Sequence, residues 1–228
     1  MTKQEIEAVV YAHQAPVVEA NSRRPGRTNK TQLKLFQAAM DIMSADGPTA
    51  TTVEDIAERA GVSKGTVYYN FGSKKTMIDQ LLQYGAKLLL AEMTQASQHE
   101  DPREALQSAL RVANIYLGEH PGFARLWISE LWRSGEQRSP TTDLIRADIM
   151  RFIRKLISNL SSRYTVRTDY SIEGVSVIIF GAVFMLYMDK TRHGAERTSD
   201  EGARLAMLTI DGYIQGTVPS THLTRLSG

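Results

Sequence analysis

Residues 63–71 read SKGTVYYNF and bring together an ammonium (Lys64), a hydroxyl carrying a methyl group (Thr66), two phenols (Tyr68, Tyr69) and an amide (Asn70) around Gly65, directly after Ser63. On a helix, Val67 and Phe71 fall four apart and turn inward, which leaves Lys64, Gly65, Thr66, Tyr68 and Tyr69 on the outer face. That set suits the recognition of a polyanion with ordered base edges. Lysine donates to guanine acceptors or phosphate, the threonine methyl meets thymine, phenols reach backbone oxygens, and the helix N-terminus points partial positive charge at phosphate. A helix used only for packing would have no use for two exposed tyrosines beside a lysine. Upstream, Arg23, Arg24 and Arg27 precede Lys30 with no acid between them. Such a basic arm either lies in a narrow A·T-rich minor groove or acts as a linker adding non-specific attraction.

Other chemistries find little support. There is no cysteine, so thiol nucleophiles, cysteine-ligated zinc and disulfides are excluded. The histidines (His13, His99, His120, His193, His222) are scattered without metal-ligand spacing, and neither a His-Glu-x-x-His nor a Gly-x-Ser-x-Gly pattern occurs. Gly72-Ser73-Lys74-Lys75-Thr76 departs from a phosphate loop, because Lys75 stands where serine or threonine is needed. No catalytic residue, metal or cofactor is therefore expected.

The elements that must position the 63–71 face are helical. Asn29 caps a helix with Leu33, Phe36, Met40 and Met43 on one side, stopped by Gly47 and Pro48. Thr52 with Asp55 forms a capping-box pattern opening a second helix that ends at Gly61; Ser63 caps the third and Ser73 a long fourth. Ile56, Ala57, Val62, Val67 and Phe71 can then face Leu33, Phe36 and Met40. Further helices follow Asp101-Pro102, Gly122, residue 141, residue 169 and residue 200, and no window alternates in the manner of a sheet. About nine helices result.

Charge separates along the same line. In the 228 residues, Lys and Arg number 27 against 25 Asp and Glu, yet residues 21–75 hold nine basic against five acidic and residues 76–228 hold seventeen of each. A positive head and a neutral body are what a polyanion-binding module with a separate sensing part requires. With 42% hydrophobic and 23% charged residues the chain reads as soluble and globular. No secretory or lipidation signal is seen, and the longest charge-free apolar stretch, residues 174–188, is shorter than the roughly 20 residues that span a bilayer. A cytoplasmic protein with a buried helix at 174–188 is expected.

The segment TVEDIAERAGVSKGTVYYNFGSKK, residues 52–75, resembles the TetR family of transcriptional regulators. The resemblance implies an all-α protein with a three-helix helix-turn-helix head and a helical-bundle body that binds an effector and dimerises. It implies an N-terminal arm over 1–28, partly disordered and basic at its end, a DNA-binding domain over 29–75 and a ligand-binding and dimerisation domain over 76–220. Residues 63–70 would form the recognition helix. Lys64, Gly65, Thr66 and Tyr69 would lie nearest base edges and Tyr68 would rest on phosphate, with Thr52 and Lys74 donating to phosphate from the starts of the second and fourth helices. Asn70 stands where many members carry histidine.

The body carries no motif. Tyr116, Phe123, Trp127, Trp132, Phe152, Phe180, Phe184, Met185 and Met188 are candidates for an apolar effector pocket, and the same residues would serve a core equally well. Residues 169–190 and 200–215 would pair with a second copy as a four-helix bundle. The expected function is a homodimeric repressor released from a palindromic operator by a small molecule. An effector-dependent activator or architectural DNA binder is the alternative, and a helical small-ligand carrier a more distant one.

Overall fold

The computed structural model describes residues 25–133, 139–194 and 196–217. Among these, nine α-helices account for nearly all regular structure: α1 (Pro25–Ala45), α2 (Val53–Ala60), α3 (Lys64–Phe71), α4 (Lys74–Ala96), α5 (Pro102–Glu119), α6 (Pro121–Leu131), α7 (Pro140–Asn159), α8 (Ile172–His193) and α9 (Ser199–Tyr213). The all-α expectation holds.

Two details differ from the sequence reading. Helix α1 opens at Pro25, four residues before Asn29, because proline's fixed φ suits a first turn. A two-stranded antiparallel ribbon joins β1 (Tyr164–Val166) to β2 (Ile214–Thr217), pairing Tyr164 with Thr217 and Val166 with Ile214. Strands of three and four residues are too short to show alternation, and their pairing spans some fifty positions of chain, so local pattern could not reveal them.

One long and two short helices build the head. Ile56, Ala57, Val67 and Phe71 are buried as expected, and Phe36 stacks 5.3 Å from Phe71. The fully buried side of α1, however, is Leu35, Ala38, Ala39, Ile42 and Met43, with Leu33, Phe36 and Met40 on its half-buried flank. The reason is a second neighbour. Besides α2 and α3, α1 packs along α6, so its apolar stripe is turned toward both.

That contact with α6 is close. A Cβ on Gly122 would stand 2.3 Å from the Met40 carbonyl oxygen, and one on Gly85 of α4 would stand 2.3 Å from the Phe123 ring. Consecutive residues at the start of α6 thus touch the head through α1 and the body through α4. Helix α5 is the centre of the body, packed on α4, α6, α7, α8 and α9. Its bidentate Arg103–Asp211 pair at 2.7 and 2.9 Å ties it to α9.

Where α4 leaves the head, a cleft of about 340 Å³ opens between Pro48, Thr49, Lys75, Asp79 and the end of α6. Glu130 is buried there and accepts from Arg133 Nε at 2.9 Å. Burial pushes its carboxyl above the ordinary glutamate range, with Asp79 acting in the same direction against Arg133 and Lys75. A carboxyl raised in the folded state stabilises the fold most when protonated, and that contribution is lost as pH rises from the ordinary glutamate value through the folded one. Glu130→Gln should therefore match the parent in melting temperature near pH 4 and exceed it by about 2 °C at pH 7. Thermal unfolding at both pH values measures this, and a difference independent of pH would contradict it.

Candidate nucleic-acid interface

The turn between α2 and α3 is fixed by local chemistry. The Thr52 hydroxyl accepts from the Asp55 amide at 3.1 Å while the Asp55 carboxylate accepts from the Thr52 amide at 3.0 Å, completing the capping box. Gly61 ends α2 at φ 64°, a left-handed conformation that costs glycine little. Ser63 then caps α3 through the Thr66 amide at 3.2 Å.

These constraints leave one face of α3 sealed and the other open. Val67 and Phe71 are 2% and 4% exposed, whereas Tyr69 is 81% and Tyr68 44% exposed. Lys64 and Gly65 are exposed beside them, and Thr66 is half-buried. The structure thus brings Lys64, Gly65, Thr66, Tyr68 and Tyr69 to one surface. A Cβ on Gly65 would meet nothing nearer than Ser63 Oγ at 3.7 Å, so internal packing has no need of glycine there.

Several expected phosphate donors are engaged within the free chain. The Thr52 hydroxyl donates to Asp55 Oδ2 at 2.6 Å, which strengthens the cap and lowers the Asp55 carboxyl below its usual range. Lys74 Nζ donates to the Thr51 carbonyl, tying the start of α4 to the turn before α2. Asn70 Nδ2 donates to the Thr66 carbonyl at 2.7 Å, directing the amide along its own helix. Ser63 and Thr66 share a hydroxyl hydrogen bond of 2.9 Å. Arg23 and Arg24 lie outside the described residues, and Arg27, described by its backbone alone, sits in the first turns of α1 instead of in an extended arm.

One participant was missed. Lys64 Nζ donates to Glu54 Oε1, raising the lysine and lowering the glutamate from their ordinary values. Opposite charges near the start of two helices joined by a tight turn were the available signal.

Residues 35–81 match the family model described as bacterial regulatory proteins, tetR family. The helix-turn-helix head is therefore of the tetR type. The KstR2 transcriptional repressor of Mycobacterium tuberculosis is 29% identical over 116 residues, a match covering 50% of this chain and 58% of that protein. The chain thus aligns with little more than half the length of this curated relative. The solved structure of that ketosteroid regulator superposes with a TM-score of 0.63 at 22% identity, covering 86% of this chain and all of the other. FadR of Bacillus halodurans, a fatty acid degradation regulator, gives 0.68 at 16% identity, with 83% and 97% covered. The body, for which the family model has no match, therefore also has a TetR-like fold.

In that body, Tyr116, Phe123, Trp127, Phe184 and Phe180 form a continuous run of rings with centroids 4.9–6.1 Å apart. Arg146 of α7 lies over the Phe180 ring at 5.9 Å. Phe152 and Met188 are half-buried near the core. Two pocket candidates are corrected: Trp132 is 77% exposed just past the end of α6, and Met185 is 56% exposed on the outer side of α8. Neither faces the interior, because α6 ends at Leu131 and Met185 lies on the α8 face with Ile178. Neither the 340 Å³ cleft beside Glu130 nor one of about 310 Å³ between α8 and α9 is lined by any of the nine pocket candidates.

Tyr69→Ala is expected to weaken specific DNA binding about tenfold to a hundredfold, with melting temperature unchanged because the ring is free of packing. Titration of a bound DNA fragment measures this. Equal affinities would remove Tyr69 from the interface.

Proposed function

We propose that the chain is a homodimeric, DNA-binding transcriptional repressor of the cytoplasm whose two α3 helices enter successive major grooves of a palindromic operator. The observation that carries this reading is the open face of α3, where Tyr69, Tyr68 and Lys64 project from a helix whose opposite side is sealed by Val67 and Phe71. Gly65 permits backbone to approach a groove wall without a side chain intervening. The named activities of KstR2 and the positive charge of residues 21–75 support the same reading.

Helices α8 and α9 would supply the dimer contact. Ile172–Thr191 has a mean hydropathy of 1.7 and only a third of it is buried. Length and apolarity alone would let it cross a membrane, yet it packs on α5, α7 and α9. Val177, Ile178 and Met185 on α8 and Leu205 and Leu208 on α9 are 43–64% exposed, a surface suited to a second copy.

The effector would enter the ring cluster of the body. Trp127 is buried, and its indole N–H has no hydrogen-bond partner among the described residues. A buried donor without an acceptor costs free energy that an apolar ligand bearing a carbonyl or carboxylate oxygen would recover. The ketosteroid and fatty-acid regulators among the structural neighbours suit an effector of that kind. Release follows if the effector moves α6, whose first turn touches both α1 and α4, so that the two heads lose the separation of about 34–36 Å that adjacent grooves impose. A preference of roughly 3 kcal/mol for the released form would weaken operator binding more than a hundredfold.

Selection of bound fragments from genomic DNA, followed by titration at several salt concentrations, tests the proposal. A palindromic site and a slope of log affinity against log salt near −7, for about four phosphates per subunit, are expected. Binding insensitive to salt would overturn it.

A further inference from the structure

The exposed face of α3 begins with a cation that is already occupied. Lys64 Nζ donates to Glu54 Oε1 on α2 and stands 5.9 Å from the centroid of the Tyr68 ring. Both members of the ion pair remain about half exposed, at 53% and 56%, so the pair sits on the surface where DNA would lie. The capping box of α2 is supplied by Thr52 and Asp55, and Glu54 has no part in it.

We propose that Glu54 is a specificity-determining residue, which by holding Lys64 withholds that lysine from phosphate and releases it only to a base edge with matching acceptors. This rests on the reading of α3 as the DNA-recognition helix. Exchanging one exposed ion pair, Lys64 with Glu54, for another, Lys64 with phosphate, gains little, because both are solvated and screened. Leaving Glu54 also strands a carboxylate beside the phosphate backbone, which penalises the exchange on every sequence alike. A guanine presenting O6 and N7 offers a directed contact that discriminates roughly tenfold to a hundredfold between bases, enough to outcompete the carboxylate at the right site alone. Lys64 thereby contributes to binding where the sequence matches and is silent elsewhere. Tyr68, with its ring beside the ammonium, keeps the lysine near the groove in either state.

Four proteins decide the matter: the unsubstituted chain, E54Q, K64M and the double variant. Each is titrated with the selected operator fragment and with a random-sequence duplex of equal length over a range of NaCl concentrations. E54Q is expected to bind the random duplex on the order of tenfold more tightly, with a salt slope steeper by about one per subunit, as a freed lysine takes up a phosphate. Its affinity for the operator should rise less, so its preference for the operator falls. In the K64M background the same Glu54 change should leave the slope unaltered and give only the smaller gain in affinity that comes from removing a carboxylate beside the phosphates. An unchanged random-duplex affinity and slope in E54Q would overturn the assignment, as would an equal gain in the K64M background, which would mean that Glu54 repels phosphate without acting through Lys64. If the unsubstituted protein binds neither duplex in a salt-dependent way, the DNA reading of α3 itself falls and takes this proposal with it.

Discussion

Leu208→Glu is expected to convert the protein into a folded monomer and to weaken operator binding by orders of magnitude. Leu208 is 64% exposed, so a glutamate can occupy its place on α9 without entering the core. In a two-fold dimer the same position is presented by both copies, and the substitution would bury two carboxylates in the apolar surface formed with Val177, Ile178, Met185 and Leu205. Stable contacts bury about 800 Å² per partner and tolerate unpaired central charge poorly. A monomer engages one half-site, so the salt slope should fall from near −7 to near −3.5 along with the affinity. Light scattering and titration against the operator measure the two effects. A dimeric mass for the variant would place the interface elsewhere.

Replacing Gly122 by alanine should lower the melting temperature by about 5–10 °C. The added methyl would meet the Met40 carbonyl oxygen at 2.3 Å, its carbon at 3.0 Å and its Cα at 3.2 Å. All three atoms are backbone of α1, which cannot rotate aside as a side chain would, so α6 must lift off the head. Because α1 supports α2 and α3, the folded fraction of the variant should also bind operator less tightly. Gly118, the penultimate residue of the preceding helix, is the control: a Cβ there meets nothing within 4 Å, and Gly118→Ala should leave stability unchanged or raise it. Unfolding followed by circular dichroism compares the two. Similar melting temperatures for G122A and the parent would mean that the α1–α6 contact yields cheaply.

What could be read without coordinates was whatever local chemistry enforces. The capping box at Thr52 and Asp55, the left-handed Gly61 and the Ser63 and Ser73 caps were all legible, and each is satisfied within a few residues of itself. Once α2 and α3 are joined by that turn, burial of Val67 and Phe71 obliges Tyr68 and Tyr69 outward. The α1 stripe was placed only in part, with Met43 buried but Leu33, Phe36 and Met40 half-buried, because its direction depends on α6, some eighty residues later. Trp132 and Met185 were misassigned for a related reason: an apolar residue type is compatible with a core, a pocket or an interface, and only neighbouring elements choose among them.

The ion pair of Lys64 with Glu54 and the engagement of Lys74 with Thr51 belong to the same class. A basic residue in a sequence reads as an available charge; in the fold it has a partner. The sequence by itself determined the helices, their caps and the outward set on α3, because hydrogen bonds within a helix and its turns involve residues three to five apart. Only the tertiary structure decided which cations stand free, how α6 grips the head through Gly122, and where apolar surface is left uncovered. Those properties depend on close approaches between residues distant along the chain, and no local pattern records them.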